Sequence, residues 1–229
     1  MAGIPTFTTT CLNCGAPLNG QFCASCGQNH RHERLSVTDW LGDVVGGITN
    51  LESRILHTIF DLTRRPGAMV RDYVEGRRAR YISPARYALA TCALWWLAVS
   101  LNPESSALWW VEYGQLINLA SLPVIALFVQ LPFAGSGRNY AESLAFMFFV
   151  SGHAFLWRVL LALSAFVDAP ALVVSIFDQV LFLAYFVWAL WGFYRGRVRL
   201  LALRIVGGVL GLLIVGGALN LALMLWAPR

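Results

Sequence analysis

From residue 84 onward the chain repeats one pattern, an apolar run closed by a short polar or glycine-containing break. The runs cover about 84–101, 117–134, 141–166, 170–194 and 202–226, each near the ~20 residues that cross ~30 Å of hydrocarbon. Upstream the pattern changes period. Val37, Trp40, Leu41, Val44, Ile48, Leu51, Ile55, Ile59 and Leu62 recur at steps of three and four, the signature of an amphipathic helix. Ser36 and Asp39 stand at its start with capping-box spacing, and Gly46 and Gly47 form a soft point. Its charges are too frequent for a membrane span. Arg64, Arg65 and Pro66 end it, and a second short helix through Met69, Val70, Tyr73 and Val74 precedes the segment GRRARYISPARY. Residues 1–30 are polar and show neither period.

This order predicts an all-α polytopic membrane protein of about five transmembrane helices, with a small N-terminal domain (1–30) and a linker with membrane-surface helices (31–83) ahead of the bundle (84–229). Composition agrees. The 229 residues are 58% hydrophobic and 13% charged, with mean hydropathy +0.61, whereas soluble domains are about 45–50% apolar and about 25% charged. The net charge of +5 comes from arginine alone, with no lysine. Ten arginines precede residue 87, and Arg138, Arg195, Arg197, Arg199 and Arg204 follow. They alternate with breaks at 102–116 and 167–169 that hold only Glu104, Glu112 and Asp168. The positive-inside rule then sets the N-terminus in the cytoplasm and the C-terminus outside. Trp109, Trp110 and Tyr113 would form an outer aromatic belt. Arginines flanking the surface helices would meet lipid phosphates, so the bilayer is the expected partner and nucleic acid is not.

The chemistry lies in the polar N-terminus. Cys11, Cys14, Cys23 and Cys26 are spaced C-x2-C-x8-C-x2-C, each pair followed by glycine. Without a signal-peptide core the segment stays in a reducing compartment, where clustered thiols bind metal rather than pair as disulfides. One structural Zn2+ per chain is expected, with rubredoxin-like iron as the alternative. His30 and His32 are read as solvated linker residues and Cys92 as a small buried side chain.

Ionisable residues inside the apolar runs are costly and are candidate sites. Arg158 and Asp178 lie equally far from the break at Asp168, so an antiparallel hairpin brings them to one depth as an ion pair. That pair reads first as a register device. Alternatively Asp178, with Ser175, Tyr185 and Asn220, lines a polar site. Glu142, His153 and Trp157 share one face of the third run, where His153 reads as a helix-to-helix hydrogen bond. Gly207 and Gly211 form a GxxxG pair, read as tight packing within the bundle and as a weak dimer signal.

From Cys11 through GRRARYISPARYALATCALWW, and again at NYAESLAFMFFVSGHAF, the chain resembles a family of bacterial inner-membrane proteins of unknown function. These join a CxxCG...FCxxCGQ ribbon to a helical membrane domain. The family pattern has an arginine-proline turn, a Gly-Arg-Arg or Gly-Lys-Arg before an aromatic, and a Tyr-x-Glu-His. Here these match Arg65 with Pro66, Gly76 to Arg78 with Tyr81, and Tyr140 with Glu142. Ser143 stands where the histidine is expected, which weakens any Glu-His role. The resemblance implies a multi-pass inner-membrane location and no activity.

No nucleophile elbow, phosphate loop, HExxH or catalytic carboxylate pair is present, so an enzyme is not expected. The favoured reading is a non-enzymatic membrane protein whose cytosolic ribbon and surface helices dock a protein partner, as anchor, assembly factor or regulator. The competing reading is transport or handling of a small solute, proton or lipid around Arg158, Asp178 and His153. A homo-oligomer is compatible with either.

Overall fold

The computed structural model describes residues 10–18, 20–29, 51–101, 109–162, 170–194 and 198–226. Among these it is all-helical, without strands. Seven helices run α1 (Leu51–Arg64), α2 (Pro66–Val74), α3 (Pro84–Ser100), α4 (Trp109–Gln130), α5 (Tyr140–Ala162), α6 (Ala171–Phe193) and α7 (Val198–Trp226), with a 3-10 turn at Leu131–Phe133. The expected helix start at Ser36, His30, His32, Asp168 and Arg195 lie outside the described residues, as do the side chains of Trp109, Trp110, Glu112, Tyr113 and Asn220.

Proline sets two of the helix starts. Pro66 and Pro84 occupy the first turns of α2 and α3, where a missing N–H costs nothing and the fixed φ already suits a helix. Ser83, just before Pro84, is extended (ψ 146°), as a residue preceding proline must be. Four segments are long and apolar enough to cross a membrane: Leu116–Phe133, Tyr140–Ala162, Leu172–Phe193 and Leu200–Ala218. The first expected span, α3, has 17 residues and is not among these four.

α5 is the centre of the bundle. Every residue from Glu142 to Phe155 is buried, so α5 is covered on all sides, as a helix apolar round its whole circumference must be. Its most extensive contact is with α3, and Gly152 makes that possible. A methyl there would lie 2.9 Å from the Ala88 Cα and from the Tyr87 ring. α2 lies against α6 even more closely. A methyl on Gly67 would run into the Ala189 carbonyl oxygen and the Phe193 amide, and Gly192 faces Gly67 across the contact. The expected GxxxG pair is used in the same way. Gly207 packs on Pro132 and Gly211 on the Phe128 backbone, so the end of α4 and the 3-10 turn after it cover this stripe.

Aromatic rings fill the end of the bundle where α6 finishes. Phe133 stacks on Tyr194 at 3.7 Å and Phe146 on Phe193 at 4.9 Å between centroids. On the outside, Leu172, Val173, Ile176, Val180, Leu203 and Ile214 are exposed. Exposed apolar side chains of this kind are stable when lipid covers them.

Candidate metal centre and its seat on the helical body

The cysteine ribbon is one backbone device used twice, twelve residues apart. In the first knuckle the Cys11 amide donates to Ala16 O (2.8 Å) and the Gly15 amide to Cys11 O (2.8 Å). In the second, Cys23 N donates to Gln28 O (2.9 Å) and Gly27 N to Cys23 O (2.8 Å). Isolated bridges, Thr10 with Pro17 and Phe22 with Asn29, close each turn. Gly15 and Gly27 have φ of 75° and 70°, the left-handed region where a side chain is strained. The glycine after each C-x2-C is therefore a backbone requirement.

The two knuckles face each other across four sulfurs whose atoms all lie within 4.8 Å. Cys11 Sγ is 3.6 Å from Cys26 Sγ, and Cys14 Sγ is 3.5 Å from Cys23 Sγ. These separations are far beyond the ~2.05 Å of a disulfide. They approach the ~3.8 Å edge of a tetrahedron with 2.3 Å metal–sulfur bonds. The donor set and its spacing thus fit one tetrahedral metal ion with no coordination position left open. Cys11 and Cys23 are buried while Cys14 is exposed. Backbone N–H groups of Cys26 and Ser25 pull Cys23 down to about 6. Cys14 receives a lowering hydrogen bond from the Ala16 amide, yet shared hydrogen bonding with Cys23 leaves it pushed up to about 12.

The ribbon is seated on the helical body by its second knuckle. Gln28 Nε2 donates to Gly76 O (2.6 Å), and Gln28 Oε1 accepts from the amides of Arg78 and Ala79 (3.2 Å each). Leu12 fills the space beside Gly76, whose φ is 106° and where a methyl would lie 2.7 Å from Leu12 Cδ1. Sequence reasoning missed Gln28. Its signal was the break in the repeat, since the first knuckle carries Ala16 at the matching position.

Beside this seat, a charged network ties α1, α2 and the loop before α3 together. Arg65 pairs with Asp61 (2.9 Å) and Asp72 (3.2 Å), and Arg77 pairs with Asp72 (2.8 Å). The Tyr81 hydroxyl donates to Asp61 (2.6 Å). Partial burial would raise the Asp61 carboxyl, but hydrogen bonds from Arg65 and Tyr81 outweigh it and hold Asp61 below its ordinary value. A carboxyl depressed in the folded state stabilises the fold above its unfolded value of about 3.9. That contribution disappears as pH falls through the folded value. Thermal stability is therefore expected to drop below about pH 4 more steeply in the natural protein than in Asp61→Asn. Parallel acid limbs in the two proteins would refute the assignment.

The polar residues expected within the helices serve different ends. Arg158 Nε lies 3.0 Å from both Asp178 oxygens, and Nη2 is 3.0 Å from Oδ2. Their side chains are 24% and 20% exposed. Ser175 is exposed, and the Tyr185 hydroxyl turns away to donate to Leu62 O (3.0 Å). His153 is a buried junction. Its Nδ1 lies 2.8 Å from the Tyr87 hydroxyl and its Nε2 3.2 Å from Thr63 Oγ1. Because Thr63 donates to Ile59 O (2.8 Å), its oxygen accepts from Nε2–H, leaving Nδ1 to accept from Tyr87. One neutral tautomer satisfies every group and links α1, α3 and α5. Glu142 sits in the first turn of α5, where Asn139 N donates to it (3.2 Å) and Asn139 Oδ1 accepts its amide (2.8 Å). This reciprocal cap satisfies two helix-terminal amides. Ser143, in place of the expected histidine, is buried against the Tyr194 hydroxyl at 3.1 Å.

No curated protein and no solved structure matches this chain. The family described as "Protein of unknown function (DUF3667)" matches residues 52–95, so over α1, α2, the loop held by Gln28 and most of α3 the chain is similar to that family.

Proposed function

We propose that this protein is a non-enzymatic, multi-pass protein of a bacterial inner membrane, whose zinc-loaded ribbon and surface helices dock a protein partner at the cytoplasmic face. The observation that carries this reading is a closed four-sulfur site seated on the helical body through Gln28 of its second knuckle and Leu12 of its first. Such a site has no vacant position for substrate, so its contribution is to hold a surface in place. Phe22, 61% exposed, belongs to that surface, and an exposed aromatic suits a protein contact. On this reading the N-terminus is cytoplasmic, α3 is the first of five spans, and the C-terminus lies outside.

The transport reading has less support. Arg158 and Asp178 are paired with each other, and His153 is committed on both nitrogens.

The test is affinity purification of the intact chain beside Cys11→Ser, Cys14→Ser, with metal measured on both and a topology reporter fused after Arg229. The expected result is one zinc per chain, a specific co-purifying protein, loss of both in the variant, and an external reporter. A partner retained by the metal-free variant would sink the docking role. A cytoplasmic reporter would sink the five-span topology alone.

A further inference from the structure

Gln28 is a polar side chain through which the four-cysteine site reaches the helical body, and its position is set by the cysteine knuckle. It lies two residues after Cys26, and its carbonyl accepts the Cys23 amide at 2.9 Å. The turn that aims Cys23 and Cys26 inward therefore aims Gln28 outward. Its three hydrogen bonds all go to main-chain atoms of Gly76, Arg78 and Ala79, a loop whose own backbone bonds run back to the end of α2, Gly76 N to Tyr73 O (3.2 Å) and Arg77 N to Asp72 O (2.9 Å). Leu12, from the other knuckle, completes the seat against Gly76.

We infer that metal occupancy at the four cysteines latches the Gly76–Ala79 loop, with Gln28 as the latch. A ribbon of two short bridges has no apolar core, so without metal it loses the order that places Gln28. The Ala79 amide then returns to water, the Arg78 amide keeps only its bond to Gly76 O (3.1 Å), and the loop opens. The effect does not stop at the surface. Arg78 Nε donates to Tyr73 O (3.2 Å) and its guanidinium lies 5.8 Å from the Tyr73 ring. Tyr73 in turn packs edge-on against Phe149 of the central helix at 5.1 Å. The state of the thiols is thereby transmitted to the junction of α2, α3 and α5. This inference rests on the cysteines holding a metal and is independent of any protein partner.

The loop carries its own reporter, because trypsin cleaves after arginine and Arg77, Arg78 and Arg80 are all here. Limited trypsin digestion of the full chain in detergent compares four samples: metal-loaded protein, chelated protein, metal-loaded Gln28→Ala and metal-loaded Gly76→Ala. Metal content and the cleavage rate after Arg54 are followed in each. Chelation is expected to speed cleavage at 77–80 by roughly ten- to a hundred-fold, the effect of losing three hydrogen bonds of modest net strength, with Arg54 cleavage changing little. Gln28→Ala should cleave as fast as the chelated protein while keeping its metal, because it removes the latch and no ligand. Gly76→Ala should do the same by pushing Leu12 away. Equal cleavage of loaded and chelated protein, or slow cleavage of loaded Gln28→Ala, would overturn the latch. Purified protein that takes up no metal would overturn the metal reading itself. A general rise at Arg54 on chelation would mark global unfolding and also overturn a local latch.

Discussion

Replacing Cys11 and Cys14 by serine is expected to abolish metal binding outright, leaving the helical bundle folded and the ribbon without order. The size of the effect follows from where the ribbon's stability comes from. Two turns closed by isolated bridges bury almost nothing apolar, and Phe22 and Leu12 are exposed. Metal–thiolate bonding must supply the folding free energy, and apparent values for structural zinc sites run to ~10–16 kcal/mol. Two serines in place of two ligands remove most of that. Cobalt(II) substitution reads the outcome directly, because a tetrahedral thiolate site gives intense visible absorption that the double variant should lack. The natural protein should show protected thiols that alkylate rapidly once chelated. Unchanged cobalt absorption in the variant would show that these sulfurs are not the ligands, and mass spectrometry finding two disulfides in freshly prepared protein would replace the metal site by a pair of cross-links.

Removing one member of the Arg158–Asp178 pair is the second large effect. Asp178→Ala leaves a guanidinium partly buried between α5 and α6 without its bidentate carboxylate. Breaking such a pair, or leaving arginine uncompensated at membrane depth, costs about 3 kcal/mol. The fifth to a quarter of each side chain that stays exposed allows some relief, so the value sits at the low end for a buried pair. The double change Arg158→Leu with Asp178→Leu should recover most of the loss, because two apolar groups desolvate nothing charged. Thermal unfolding of the detergent-solubilised protein, run as a double-mutant cycle, measures this. If Asp178→Ala melts like the natural protein, the ion pair is not holding the α5–α6 hairpin in register. If the double variant is as damaged as the single one, packing rather than charge accounts for the loss.

The ion pair and the four-cysteine cluster could both be read from the chain, and for the same reason. Each depends on one rigid local geometry. A C-x2-C followed by glycine makes one kind of knuckle wherever it occurs, and two of them in close succession present four sulfurs. Likewise, residues equally far from the turn of an antiparallel helical hairpin meet at one depth, which joined Arg158 to Asp178 from spacing alone. Apolar run length set the helices α4 to α7 by the same logic, since a helix crossing hydrocarbon must satisfy its own backbone. The first two runs discriminate least: α3 has 17 residues, where length stops deciding, and the second run ends in the 3-10 turn Leu131–Phe133 rather than in helix.

The set of parts was therefore legible in the chain: a pair of cysteine knuckles, amphipathic helices, apolar helices and one ion pair. The tertiary structure alone decided how those parts are joined. Gln28 gripping the loop at Gly76, Gly67 pressed on Gly192, and His153 bridging Tyr87 to Thr63 each join residues far apart in the chain. No period or spacing connects such residues. The glycines at 67 and 192 carry no side chain to announce a contact, and Gln28 looks like any polar residue after a metal knuckle. Their roles arise from the close approach of backbones in three dimensions, which depends on how every intervening helix packs.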